Sequence, residues 1–425
     1  MKKDLKNPEV ALRVKSIYTS QGKDRQWVAD LLNISVRKVY NIEKGDDEYT
    51  ERDLELLRKA LGIEGMPLKD EEVVPCEKRL LRLSETLAFG RFNEAKVYIE
   101  ELSPILKIEC CLPHLSWLYR LLRVDFLMSQ GDIEEARKEM KFFEEKVNDM
   151  TVRHRYHYLH NKGRLYFRDF KHVEAAKLFE KSAKITEDNE GFLPIHRLRP
   201  IFNIGLCYTD SYHTTAAIAF LEDVKGKNSN SGIDFFDFKI DIALATNYTR
   251  SRVFKIARFL LNKSLDYAEG TNNEFHIGLV HYNFGHEYMH AKRCDEAIES
   301  QRKAQNYFET GSVYHSWSSF YEAYCTIEKG DYKTAKKILE ESKYIYIDKD
   351  GNGINNMLIP YNHLIAFHNV HKGPSRPKDE DIDYMLNVSI PYFLSRHYKY
   401  LAIRAYELII ENYERRGQIA KAAHI

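Results

Sequence analysis

Seven alanines, Ala95, Ala136, Ala176, Ala217, Ala257, Ala297 and Ala335, follow one another at intervals of 41, 40, 41, 40, 40 and 38 residues. A chain that repeats itself at such a period is a stack of supersecondary units, each burying its apolar face against the next. Several of these alanines close a recurring phrase: Gly90-Arg-Phe-Asn-Glu-Ala95, Gly131-Asp-Ile-Glu-Glu-Ala136, Arg293-Cys-Asp-Glu-Ala297 and Gly330-Asp-Tyr-Lys-Thr-Ala335. In each, a turn leads into a capped helix whose first inward residue is alanine. A second phrase lies upstream, near the end of the preceding helix. It reads Asn161-x-Gly163-x-x-Tyr166, Asn203-x-Gly205-x-x-Tyr208 and Asn283-x-Gly285-x-x-Tyr288, with the diluted form Ala243-x-Ala245-x-x-Tyr248. Small residues on two successive helices, with an aromatic between them, let the pair pack closely.

Composition agrees with a folded helical chain. Charged residues make up 30% of 425 and aromatics 12%, with glycine and proline sparse, which excludes a disordered polymer. A net charge of +1 gives no general attraction to nucleic acid or membrane, so any DNA contact must come from a local patch. The six cysteines, Cys76, Cys110, Cys111, Cys207, Cys294 and Cys325, form no C-x-x-C pair, and a reducing cytoplasm is expected. The start, Met1-Lys2-Lys3-Asp4, leads into no apolar run, so neither secretion nor a membrane span is expected.

The first 65 residues read differently from the rest, as four short helices. The first spans Val10 to Ser20. Asp24 caps a second over Arg25 to Leu32, with the small Ala29 in its middle. Asn33 tolerates the left-handed turn conformation, and Ser35 caps a third helix, Val36 to Lys44, closed by Gly45. Thr50-Glu51-Arg52-Asp53 is a capping box with Asp in the acidic place, opening a fourth helix with Leu54, Leu57 and Leu61. Two helices joined by a short turn are the helix-turn-helix plan.

Residues 24–45 resemble the phage-repressor-like Cro/CI (XRE) family through Ala29, Ile34-Ser35 and Ile42-Glu43-Lys44-Gly45. The resemblance implies that Val36, Arg37 and Asn41 read bases and that Arg25 touches phosphate. Side-chain chemistry agrees, since Arg pairs with guanine, Asn with adenine, and Val meets a thymine methyl. The candidate DNA-contacting set is Arg25, Ser35, Val36, Arg37, Lys38, Tyr40, Asn41 and Lys44. Thirteen basic and twelve acidic residues in this segment predict low affinity per domain, hence a dimer on two half-sites.

The expected fold class is all-α. A helix-turn-helix domain (1–65) and a linker (66–76) precede a right-handed superhelical array of about nine tetratricopeptide-like hairpins (77–425). A charged stretch between Met66-Pro67 and Val74-Pro75 forms the linker, Lys372 to Asp381 a mobile loop, and Gln418 to Ile425 a short final helix. This combination resembles the RRNPP group of Gram-positive bacteria, the Rap, Rgg, NprR, PlcR and PrgX proteins, to which the phage receptor AimR is similar in plan; length and repeat count come nearest the NprR type. The resemblance implies a transcription regulator that binds a double-stranded DNA operator, works as a homodimer, and responds to a short linear signalling peptide in the groove of the array.

An Asn amide carries both a donor and an acceptor and can clamp one peptide unit. The candidate ladder is Asn161, Asn203, Asn247, Asn283 and Asn362, with Arg164 and Arg199 as candidates for a peptide carboxylate. The plain alternative is that these amides tie neighbouring helices together. Two further readings of the whole chain stand beside the receptor: a Rap-like protein that binds a phosphorelay component, and a scaffold without a small ligand.

No catalytic residue, metal or cofactor is expected. His286-Glu287-Tyr288-Met289-His290 matches the zinc-protease pattern H-E-x-x-H but overlies the repeat phrase. Asp348-Lys-Asp350-Gly-Asn352-Gly353 imitates the start of a calcium loop, yet Ile359 stands where a bidentate Glu is needed. His154, His157 and His160 share a helix face that reads as wet surface.

Overall fold

The computed structural model describes residues 9–64, 66, 68–106, 113–229, 232–348, 351, 354–372 and 379–425. Cys110, Cys111, Asp350, Asn352, Gly353 and residues 373–378 of the expected mobile loop lie outside them. The chain divides into two compact units, Met1–Pro200 and Ile201–Ile425. Its elements are helices, as expected, and among the described residues none is long and apolar enough to cross a membrane.

The first unit opens with α1 (Glu9–Ser20), α2 (Arg25–Leu32), α3 (Val36–Glu43) and α4 (Glu51–Leu61). The caps behave as read. Asp24 accepts from the Trp27 N–H, Asn33 takes φ 54°, and Ser35 accepts from the Lys38 N–H. Thr50 and Asp53 form a reciprocal capping box. Val14, Ile17, Val28, Ala29, Val39, Ile42, Leu54 and Leu57 close the core between these helices.

That core runs on through Met66 and Leu68 into Leu80, Leu83 and Leu102, on α5 (Asp70–Ala88) and α6 (Phe92–Leu106). Of the stretch expected as linker, Asp70 onward is the opening of α5, with Pro75 inside the helix. Glu72 explains the early start. Its carboxylate accepts from the backbone N–H groups of Leu68 (2.8 Å) and Lys69 (3.1 Å) and from Arg58 of α4 (2.6 Å). Arg13 of α1 donates to the Leu68 carbonyl at 2.6 Å. These bonds pin the connection at both ends.

Hairpins follow: α7 (Pro113–Gln130) with α8 (Ile133–Phe142), α9 (Val152–Arg168) with α10 (His172–Asp188), α11 (Pro194–Asp210) with α12 (Thr214–Ser229), and α13 (Asp234–Arg250) with α14 (Phe254–Gly270). Next come α15 (Glu274–His290) with α16 (Cys294–Gln305), and α17 (Val313–Glu328) with α18 (Tyr332–Glu341) and a short α19 (Lys343–Tyr346). The eighth hairpin pairs α20 (Leu358–Lys372) with α21 (Asp379–Tyr384) and α22 (Ile390–Ser395), joined by a π-helical turn at Met385–Ser389. In the last, α23 (Lys399–Arg415) meets the short α24 (Ile419–Ala422). Among the described residues nine hairpins, the last closed by the short α24, agree with the sequence reading. Within each unit first helices also pack on first helices, α5 on α7, α7 on α9, α13 on α15, and α15 on α17.

The alanine period is real but needs one correction. Ala95, Ala136, Ala217, Ala257, Ala297 and Ala335 are fully buried, whereas in α10 the fully buried residue is Ala175 and Ala176 is only half-buried. With two adjacent alanines, spacing alone could not choose. Glycine in the second phrase is explained by contact: a Cβ on Gly163 would stand 2.7 Å from the Phe179 ring, and one on Gly205 2.9 Å from Leu221. Helix propensity alone favours Ala over Gly by about 1 kcal/mol, but overpacking costs about 1–3 kcal/mol. Gly163→Ala is therefore expected to lower the melting temperature. Gly226→Ala in α12, where a Cβ meets nothing within 4 Å, is expected to raise it. Thermal melts of the two variants check this, and equal shifts of one sign would refute the packing account.

Candidate functional site

In the second unit a cavity of about 190 Å³ is lined by α13, α15, α17 and the start of α23. Its wall holds Arg250, Asn283, His286, His290 and the tyrosines Tyr212, Tyr282, Tyr321, Tyr398 and Tyr400, and among the described residues no Asp or Glu. Arg250 ends α13. It donates to the Thr209 carbonyl, and its guanidinium lies 4.2 Å from the centre of the Tyr212 ring. Lys399, the first residue of α23, places its ammonium 5.2 Å from that same ring. Such cation–ring contacts hold a long basic side chain in one place.

His286 and His290 fall one turn apart on α15, so both face this space. The rings of Tyr321 and Tyr282 lie 4.2 and 4.6 Å from His286, and that of Tyr400 lies 4.3 Å from His290. Burial, then His290 and Arg250, push His286 down to about 3; burial, then Arg250 and Arg252, push His290 down to about 4. Both imidazoles are neutral at pH 7. Glu287 points elsewhere, fully buried with Arg258 at 3.3 Å. The two imidazoles and the carboxylate of H-E-x-x-H thus do not converge, and among the described residues no group of three His, Cys, Asp or Glu could hold a metal. Asp210 interacts with Arg250. Burial raises its carboxyl to about 6 against the pull of Arg250.

The amide ladder splits. Asn161 is fully buried, its Nδ2 donating to the Leu121 carbonyl at 2.8 Å. Asn247 is equally buried, donating to Thr209 Oγ1 and the Ala243 carbonyl. These two tie helices together, as the plain alternative holds. Asn203 and Asn362 are half-buried, and Asn362 lies against the Tyr384 hydroxyl. Asn283 faces the cavity, with its Oδ1 accepting from Thr246 at 3.3 Å and its Nδ2 donating to Leu279 at 2.8 Å.

Arg164 and Arg199 converge on Asp125, which is 2% exposed in the first unit; Arg199 reaches it at 3.2 Å. Burial raises the Asp125 carboxyl, but Arg199, then Arg164 and His160, outweigh it and hold it well below the carboxylate range. His154, His157 and His160 are buried, which corrects the expectation of a wet surface. In an array a first helix is covered on both flanks, leaving little of it wet. Ser84 of α5 lies 3.1 Å from His196 Nε2 and 3.5 Å from His157 Nε2, beside a second cavity of about 380 Å³ that also meets Lys78 and Arg153.

On α3, Arg37, Lys38 and Lys44 are exposed and Asn41 is half-buried, while Val36 and Tyr40 are more than a third exposed. Val39 and Ile42 anchor the opposite side. Ser35 is engaged as the cap. Arg25 is held by the buried Glu43 at 2.8 Å, together with Lys15 at 3.0 Å and the Tyr18 hydroxyl at 2.5 Å. The sequence reading saw Glu43 only as part of a pattern, and its role as counter-charge to Arg25 was missed. Arg250, Lys399 and the tyrosines were missed as well. A signal for Arg250 existed: Arg168, Asp210, Arg250 and His290 each end a first helix, at the array's own period.

No protein-family model matches the chain, and no curated protein does. Solved structures match in fold. A Rap protein complexed with Competence and Sporulation Factor is similar over 82% of this chain and 95% of its own, at TM-score 0.66 and 14% identity. NprR in complex with its cognate peptide NprX is similar over 79% and 99%, at 0.58 and 16%. Aspartyl phosphate phosphatase F from Bacillus subtilis is similar over 82% and 91%, at 0.53 and 14%.

Proposed function

We propose that the chain is a cytoplasmic, peptide-responsive transcription regulator. Residues 1–65 bind a double-stranded DNA operator as a helix-turn-helix domain. The hairpin array, 77–425, receives a short linear peptide and holds two copies as a homodimer. The observation that carries this reading is the pairing of two features in one chain: a capped α2–turn–α3 unit with Val36, Arg37, Tyr40 and Lys44 facing outward, and an array similar in fold to NprR bound to its cognate peptide. Asn203, Asn283 and Asn362 are the amides proposed to meet the peptide backbone. A peptide shifts DNA affinity only as far as it binds two arrangements of the dimer unequally.

The test is selection of random DNA duplexes on the full-length protein at stated salt, since phosphate contacts are salt-dependent. A single enriched motif is expected. Arg37→Ala and Asn41→Ala should each weaken it by roughly ten- to a hundredfold, from about 1–3 kcal/mol per bidentate base contact. No enrichment would move the function to a second reading, a Rap-like protein that binds a phosphorelay component. That reading is supported by the fold likeness to the Rap protein and by the hold of Glu43 on Arg25.

A further inference from the structure

Among the described residues, the wall of the second unit's cavity holds a fixed cation, Arg250, and no Asp or Glu. Arg250 and Lys399 share the Tyr212 ring, and none of the lining residues is an Asp or Glu. Asp210, which does interact with Arg250, is not among the lining residues, and burial raises its carboxyl to about 6. A second feature points the same way. The helix α23 begins at this wall with Tyr400 and Leu401 in the lining, and its N-cap Tyr398 provides no side-chain cap. Its first backbone N–H groups are therefore uncapped by a side chain, and they carry the partial positive charge of a helix N-terminus. A third is His286, a residue of the cavity wall whose Nε2 has no hydrogen-bond partner among the described residues. Buried polar atoms are nearly always satisfied.

We propose that this cavity is an anion pocket, which takes a carboxylate of the bound peptide on Arg250, the His286 imidazole and the N-terminus of α23. This rests on the receptor reading above and adds the chemistry of its ligand. A planar guanidinium matches a carboxylate in two parallel hydrogen bonds. The neutral His286 serves as a donor from Nε2 once that nitrogen carries the proton. The same wall disfavours an ammonium or guanidinium from the ligand, because Arg250 lines it, Lys399 lies on the same Tyr212 ring, and no lining carboxylate faces them among the described residues. The carboxylate comes either from the peptide's C-terminus or from an Asp or Glu side chain; the chemistry recognised is one.

The test uses the full chain immobilised at neutral pH and three synthetic pools of random heptapeptides. One pool lacks Asp and Glu and ends in a free acid, the second is the same pool amidated, and the third is amidated but contains Asp and Glu. Retention from the first or third pool, at least tenfold above the second, is expected, and which of them is retained identifies the source of the carboxylate. Arg250→Gln should abolish the excess, and Lys399→Gln should reduce it. Because Arg250 also braces Thr209 and Tyr212, Arg250→Lys and the circular dichroism of each variant separate lost charge from lost fold. Equal retention from all three pools, undiminished in a folded Arg250→Gln, overturns the anion pocket and leaves the receptor standing. No retention from any pool overturns the pocket and the receptor reading together.

Discussion

Acidifying from pH 7.5 to 5.5 is expected to cost the first unit about 4 kcal/mol. Three buried histidines of the first unit set the effect. His157, His160 and His196 are 3%, 1% and 6% exposed. Burial disfavours their charged forms, and Arg199 adds repulsion. His157 and His160 are driven well below the ordinary imidazole range, and His196 falls to about 3. Unfolded, each titrates near pH 6.5. Above that pH neither state binds the proton, and the stability of the fold is fully present. Below it the unfolded chain takes up protons that the folded chain refuses, so stability is lost as pH falls. Each group contributes about 1.4 kcal/mol over this interval. Asp125 does not enter this window, since both its folded and unfolded carboxyls are ionised above pH 5. Urea midpoints at the two pH values measure the loss. His157→Gln with His196→Gln should leave about a third of it, whereas a midpoint independent of pH in the parent protein would refute the account.

That His154, His157 and His160 are buried was not legible from their i, i+3 spacing, which by itself describes a face and not what covers it. The repeat was legible because it is enforced by atoms: Gly163 and Gly205 are glycine where the facing side chain leaves no room for a Cβ. The caps were legible because Asp24, Ser35 and Thr50 act on N–H groups only three residues away. The cavity was not, because it gathers Tyr212, Arg250, Asn283, Tyr321 and Tyr400 from positions nearly two hundred residues apart. Asparagine likewise looks alike in sequence whether it ties helices, as Asn161 and Asn247 do, or faces a cavity, as Asn283 does. Distinguishing them needs the neighbouring helix, and a single sequence does not name it.

Asp125→Asn is expected to destabilise the first unit by about 3–5 kcal/mol, the usual cost of removing one member of a buried ion cluster. Asp125 joins three helices: it lies on α7, Arg164 on α9 and Arg199 on α11. Asn keeps the size and one acceptor oxygen but removes the charge, leaving two guanidiniums facing each other in a space largely closed to water. The contrast is Glu43, whose partners Arg25 and Lys15 have side chains 40% and 39% exposed. Solvent screening there should make Glu43→Gln the milder change. Replacing the whole cluster, Asp125→Leu with Arg164→Leu and Arg199→Met, should recover part of the loss, because apolar packing can substitute for a buried pair but not for half of one. Chemical denaturation of the three variants decides it. A loss below about 1 kcal/mol in Asp125→Asn, against the cost of orphaning a buried charge, would mean that Asp125 does not hold the two arginines. Arg164 and Arg199 would then be free to receive a peptide carboxylate themselves, and the pocket around Arg250 would have a rival in the first unit.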